Sequence, residues 1–433
     1  MNRPSVVVVA RAGVLLAGAL VSACQPGEAP STTYVRDIKP ILDRSCTRCH
    51  EDGNIGPFPL STYAQVYEVR ELVKAAVEAR TMPPWMAAEG CDEYQYDSRL
   101  SDDEIAAITR WVDEGAHEGE ADATGPVAQG VNEDFSLDRV DLTMPMPVEY
   151  EPSQQSSDDY RCFVVDWPEQ MTKFVTGFQV RPGNKAIVHH VIAYVAPPDR
   201  VARVAELDDA EPGPGYTCYG GPGFSGNRWL GAWAPGGAGS LYPVGTGLRV
   251  EPGSKVVLQM HYFVKGAENE RDRTEIDVKL EDAVDKEAFI LPFTNPLWLE
   301  GQSMLIPAGQ KNVSHAFDVR VGDFFEEPFV IHTANLHMHR LATAGVTWIE
   351  RQDQSIDCML DIPRYDFDWQ LSYLFTESKI VYPEDKLGIE CQYDNSADNQ
   401  PVIAGERQEP RDVAWGEGTG DEMCLGIFFV SEL

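Results

Sequence analysis

Ala186-Ile187-Val188-His189-His190-Val191-Ile192-Ala193-Tyr194-Val195 is almost wholly apolar, rich in β-branched side chains and free of Gly and Pro, and it follows the turn-forming run Arg181-Pro182-Gly183-Asn184. Such a segment reads as a buried strand entered from a tight turn. Lys255 to Val264, Phe329 to His332 and Leu387 to Tyr393 have the same character, and Glu251-Pro252-Gly253-Ser254 supplies another turn. Roughly 300 residues of this pattern predict two antiparallel, jelly-roll-like β-sandwiches in tandem, over residues 135–286 and 287–433.

Upstream the periodicity changes. From Tyr34 to about Glu120 the apolar residues recur at helical spacing: Ile38, Ile41 and Leu42, then Leu72 to Val77, then Ile105, Ile108, Trp111 and Val112 behind the capping box Ser101-x-x-Glu104. This predicts a small all-α domain over 34–120, joined to the strands by an acidic, Gly-containing linker at 121–134.

Within that domain Cys46-Thr47-Arg48-Cys49-His50 is a C-x-x-C-H run. Two thiols at this spacing can form thioethers to porphyrin vinyls, and the adjacent imidazole can ligate the iron. No second C-x-x-C completes a four-ligand zinc site. One covalently bound c-type haem on Cys46 and Cys49, with His50 on the iron, is therefore expected, and with it a cytochrome c domain. Met82, in Arg80-Thr81-Met82-Pro83-Pro84-Trp85, is the favoured sixth ligand, because a thioether raises the iron potential and the prolines stiffen its loop. Met86 competes with it. His117, in an acidic helix end, reads as a surface residue.

The first residues specify the compartment. Arg3 and Arg11 flank and interrupt an apolar run, Val6 to Val21, that is too short to span a bilayer and ends in Val21-Ser22-Ala23-Cys24. This resembles a bacterial lipoprotein signal, which implies removal of residues 1–23, lipid on Cys24 and a polar tether over 24–33. The chain is then expected in the cell envelope, periplasmic or outer-membrane facing, touching the membrane only through its lipid. A balance of 69 acidic against 35 basic residues, net −34, argues against nucleic acid and against charge-driven binding to anionic lipid.

Histidine placement carries the second chemical signal. Five of the nine histidines fall in strand-like motifs: His189-His190, His261 in Leu258-Gln259-Met260-His261-Tyr262, and His337-Met338-His339. Alternation puts residues 337 and 339 on one face, so both imidazoles can reach one metal. Neighbouring strand residues point apart, so His189 and His190 can share a metal only if the strand bends or bulges, or if the rings use different nitrogens. Taken singly, each motif could be buried, hydrogen-bonded histidine.

Together, and in this order, with Asp421-Glu422-Met423-Cys424 near the C-terminus, the motifs resemble the copper type II monooxygenases, the family of peptidylglycine α-hydroxylating monooxygenase and dopamine β-hydroxylase. Tyr160-Arg161-Cys162, Trp233-Ala234-Pro235-Gly236, Ile306-Pro307-Ala308-Gly309 and Cys391-Gln392-Tyr393 agree. The resemblance covers roughly residues 135–433 and leaves the haem motif outside. It implies two copper ions, one on His189, His190 and His261 and a second, where O2 and substrate react, on His337, His339 and Met423. A soft thioether beside imidazoles favours Cu(I). Gln259 and His332 are the expected supporting residues behind these ligands. Six cysteines remain after lipid and haem; the resemblance implies Cys391 with Cys424, Cys162 and Cys218 form a compatible pair, and Cys91 and Cys358 have no assigned partner.

The function so implied is hydroxylation of a C–H bond with O2, with electrons arriving through the haem from an upstream periplasmic donor. Peptide-amidating members hold a carboxylate with an arginine two residues before the His-x-His and a tyrosine four residues after the methionine. Asn335 and Ile427 stand there in this chain, so a neutral or apolar small molecule is the expected substrate. The alternative is a non-catalytic electron-transfer or copper-binding lipoprotein.

Overall fold

The structure, a computed structural model, describes residues 32–47, 49–52, 56–120, 137–155, 158–218, 221–233, 240–264, 269–299, 303–367, 369–403, 406–416 and 420–433. The signal segment, Cys24, most of the tether, Arg48, the 121–134 linker and Ala234-Pro235-Gly236 lie outside them. No described helix is long and apolar enough to cross a membrane.

Strands dominate, and helices are few. Among the described residues of the N-terminal part are three helices: α1 (Lys39–Ser45), preceded by a π-helical turn at Tyr34–Ile38, α2 (Tyr63–Glu78) and α3 (Asp102–Asp113). Ser101 and Glu104 form the expected capping box on α3, and Thr62 with Gln65 forms another on α2. Each box satisfies two backbone donors left open at a helix start. The helical faces meet in one core of Ile38, Leu42, Val66, Val77, Ile108 and Trp111.

The strands form three main sheets. A nine-stranded sheet runs in the order Leu142–Pro145, Glu275–Glu281, Lys173–Arg181, Thr246–Val250, Lys286–Phe293, Leu425–Glu432, Phe329–His337, Tyr373–Val381, with Ser240–Leu241 on Lys173–Arg181. A five-stranded sheet (Tyr216–Thr217, Asp158–Asp166, Lys255–Phe263, Val188–Ala196, Arg228–Trp233) contributes Phe163, Leu258 and Met260 to a core shared with Phe178 and Ile276 of the large sheet. A four-stranded sheet (Val313–Arg320, Lys386–Tyr393, Ala342–Glu350, Ile356–Ile362) contributes Ile349 and Ile389 to a second core with Ile331 and Phe428. The large sheet is continuous because Lys286–Phe293 pairs parallel with Thr246–Val250 on one side and antiparallel with Leu425–Glu432 on the other.

Two features were not legible beforehand. Helix α4 (Val201–Asp209) follows the His189 strand and inserts Val204 among Cys162, Tyr194, Tyr216 and Cys218. The segment after α2 also docks on the C-terminal half. Trp85, Met86, Ala87 and Tyr94 join that half's core. Gln95 N donates to Leu374 O and Thr376 N to Glu93 O, each at 2.8 Å, extending the large sheet beyond its outer strand. A disulfide between Cys91 and Cys358 fastens this segment; Cys162–Cys218 and Cys391–Cys424 are also bonded.

Candidate metal centres

The His189 strand, Val188–Ala196, pairs with the His261 strand, Lys255–Phe263, with Val188 opposite Tyr262 and His190 opposite His261. His189 is thus the extra residue of a β-bulge, and a bulge re-aims the side chain next to it. His189, His190 and His261 each bring a ring nitrogen into one cluster. His190 Nδ1 lies 3.2 Å from His261 Nδ1 and 3.5 Å from His189 Nδ1. Two nitrogens bound tetrahedrally at about 2.0–2.1 Å to a common metal would stand roughly 3.3 Å apart, so the spacing of these ring nitrogens fits a metal ion. Burial pushes His189 down to about 4 and His190 well below its ordinary value, with the neighbouring His261 adding to both. The rings therefore stay neutral and keep lone pairs for a metal.

Neighbouring strands hold His261. Tyr160, directly opposite it, stacks on its ring at 4.1 Å, and its Nε2–H donates to Asp158 Oδ1 at 2.8 Å. Gln259, two residues before His261, lines the same cavity, but its amide donates to Cys218 O at 2.7 Å and accepts from Tyr194 O–H at 3.3 Å. It supports the wall.

The second group is built where two strands of the large sheet end. His337 closes Phe329–His337 opposite Leu425. Continuing that register brings His339 level with Met423. Glu422, fully buried, clamps the two segments together by accepting from His339 N at 2.9 Å and Leu341 N at 2.6 Å, and burial pushes its carboxyl up to about 8. Met423 is fixed by Tyr393 O–H, which donates to its carbonyl at 2.7 Å, and by the Cys391–Cys424 disulfide next to it. His339 Nδ1–H donates to Asp421 O at 3.1 Å and His337 Nδ1–H to Gln370 Oε1. The bond to Gln370 leaves Nε2 as the nitrogen the His337 ring offers a metal.

His332 does not support this pair. It is the bulged residue between Ile331 and Thr333, and its ring nitrogens bond to Ser378 Oγ and Ser431 Oγ at 2.9 Å each. Both ring nitrogens are thus used by hydroxyls of neighbouring strands. The supporting residue found instead is Gln370, which has no local sequence signature. Glu422, inside the quoted Asp421-Glu422-Met423-Cys424, had one.

In the helical part, Cys46, Cys49, His50 and Met82 line a shared wall. His50 Nδ1–H donates to Phe58 O at 2.8 Å, which turns Nε2 to the other side of the ring. Gly56 is pressed against that ring: a Cβ there would lie 2.6 Å from His50 Nδ1. Met86 is engaged elsewhere, its Sδ 3.2 Å from Asp366 N and its own N–H donating to Tyr373 Oη at 3.2 Å. His117 is exposed, as expected.

All three groups open onto one cavity of about 1040 Å3. Phe367 stands between the histidine clusters, 5.7 Å from the His189 ring and 6.0 Å from that of His339. Asn335 and Ile427 line the same space, and Asn335 Nδ2 donates to Leu371 O at 2.8 Å.

Comparison with solved structures gives only distant likenesses. A Parabacteroides distasonis protein shares 8% identity over 69% of this chain and 91% of its own, TM-score 0.15. The infectious bursal disease virus VP2 subviral particle shares 8% over 67% and 71%, TM-score 0.16. A Paenibacillus xanthan lyase shares 8% over 68% and 26%, TM-score 0.15. Scores this low carry no argument. No curated protein matches the chain. Residues 300–430, which hold His337, His339 and Met423, match the family of the copper type II ascorbate-dependent monooxygenase C-terminal domain.

Proposed function

We propose that the chain is a copper monooxygenase of the bacterial cell envelope, with two copper ions and a c-type haem, that hydroxylates a neutral or apolar small molecule: R–H + O2 + 2 e⁻ + 2 H⁺ → R–OH + H2O. The observation that carries this reading is the convergence of His189, His190 and His261, of His337, His339 and Met423, and of Cys46, Cys49, His50 and Met82 on one cavity. Copper bound there would supply one-electron redox chemistry toward O2, and the haem would bring electrons from an upstream donor.

The chain's own residues do the rest. The bulge at His189 turns adjacent imidazoles to one side. Gln370 and Asp421 fix the tautomers of His337 and His339. Glu422 holds the His339 loop against the methionine segment, and Phe367 keeps an apolar partition between the two clusters. For the haem, Phe58 O orients His50, and Met82 rather than Met86 would be the methionine that holds the iron, because Met86 is committed to the C-terminal half. Lipidation at Cys24 would hold the protein at a membrane surface.

The test is metal and haem content of the purified, copper-reconstituted protein, followed by O2 uptake. Two coppers and one covalent haem per chain, with O2 consumed in step with product, are expected. Copper and haem without any oxygen consumption across a broad substrate panel would favour the electron-transfer lipoprotein instead.

A further inference from the structure

We propose that Asp158 is a positioning residue that fixes His261 as a metal ligand and biases the three-histidine site toward Cu(II). The inference rests on the copper reading above. Asp158 opens the strand Asp158–Asp166, two residues before Tyr160, and so shares a strand face with it. A carboxylate and a phenol ring thus hold one imidazole from two directions, the first at Nε2 and the second across the ring face at an interplanar angle of 8°.

The bond to Nε2 decides the tautomer. With its proton there, His261 carries its lone pair on Nδ1, the nitrogen 3.2 Å from His190 Nδ1. A carboxylate behind a ligating imidazole fixes ring orientation and raises ligand basicity. The side chains are 2% exposed for His261 and 20% for Asp158, so water screens the charge only in part.

The second site is held differently. Its histidines lean on the neutral oxygens of Gln370 and Asp421, and its third ligand is the thioether of Met423. A negative charge close to a metal favours its higher oxidation state, whereas a thioether and neutral acceptors favour Cu(I). The two sites therefore differ in redox preference because a carboxylate backs a ligand of the first, whereas a thioether completes the second and an amide oxygen and a backbone carbonyl back its imidazoles.

The experiment compares the full-length, haem- and copper-loaded protein with its Asp158→Asn and Asp158→Glu variants. Competition with a chelator reads Cu(II) and Cu(I) affinity, and a redox titration followed by EPR reads the potential of each copper. Asn has the same shape without the charge. It should weaken Cu(II) binding at the first site by about 10- to 100-fold, and Cu(I) binding less. Each tenfold difference between the two should read as a rise of about 59 mV. Glu should restore most of both quantities, and the second copper should keep its spectrum in every variant, reporting an intact fold. Native affinity and potential in Asp158→Asn, or equal losses in Asn and Glu, would overturn the role given to Asp158 alone. Native protein that binds no copper on the three histidines would overturn the copper site as well.

Discussion

Asn335 and Ile427 are direct cross-strand partners, paired between Phe329–His337 and Leu425–Glu432, and both face the cavity two and four residues from His337 and Met423 respectively. One patch of wall beside the second site thus combines an amide and a branched alkyl group. Nδ2 of Asn335 gives one of its two hydrogens to Leu371 O, which fixes the amide, so Oδ1 can accept from a ligand. Such a wall suits a neutral molecule that donates a hydrogen bond and offers nothing cationic to a carboxylate.

Exchanging this pair should change ligand class. Asn335→Arg with Ile427→Tyr supplies a guanidinium and a hydroxyl, and charge-assisted bonds contribute about 1.5–3 kcal/mol. Carboxylate-terminated ligands should bind at least ~10-fold more tightly to the double variant by calorimetry. A native chain that already prefers carboxylates over neutral analogues would refute the substrate proposal.

Met423→Ala should lower copper from two per chain toward one while covalent haem stays constant, read by metal analysis and haem absorbance. Deleting the last strand is a poorer test. Leu425–Glu432 lies inside the large sheet with partners on both sides, and its loss would strip Phe428 and Val430 from one core and Phe429 from the other. Unchanged copper in Met423→Ala would remove the thioether from the site.

Cys91→Ser should loosen the helical part from the C-terminal half. The bond joins residues 267 apart in sequence, and loss of a native disulfide costs about 2–5 kcal/mol. A lower melting temperature and faster proteolysis around residues 85–97 are expected. Native protease resistance would mean that the Trp85 and Tyr94 packing suffices alone.

Gly56→Ala should impair haem loading. The added methyl carbon would sit 2.6 Å from His50 Nδ1 and 2.7 Å from Cys49 O, displacing the imidazole and breaking its bond to Phe58 O. Covalent haem per chain should fall severalfold, or the iron should become high-spin. Full haem content with an unchanged low-spin spectrum would separate Gly56 from the site.

Metal-free protein should lose stability as pH falls from about 6.5 to about 4. Burial holds His332 and His189 near 4 in the folded chain against 6.5 when unfolded. Within that window the unfolded chain binds protons at these two histidines that the folded one does not, so their contribution rises with pH and is fully present above 6.5, offset in part by Glu422, whose carboxyl is pushed up to about 8 and favours the folded chain at lower pH. His332→Gln should flatten the slope in denaturation measured across this range. An equal slope in the variant would place the titration elsewhere.

The sequence by itself determined the strands carrying His189, His261 and His337, the capped helix α3 and the residue types able to hold copper and haem, because periodicity, turn chemistry and motif spacing are local or nearly local signals; the Cys391–Cys424 bond was implied by the family resemblance alone. Tertiary structure alone decided how those residues meet. The bulge that lets His189 and His190 point together is a register difference between two strands some 70 residues apart. The roles of Gln370 and Asp158, the pairing of Cys91 with Cys358 and the engagement of Met86 all arise from contacts between distant segments. No local pattern encodes such contacts, since they exist only once the large sheet has brought its strands side by side.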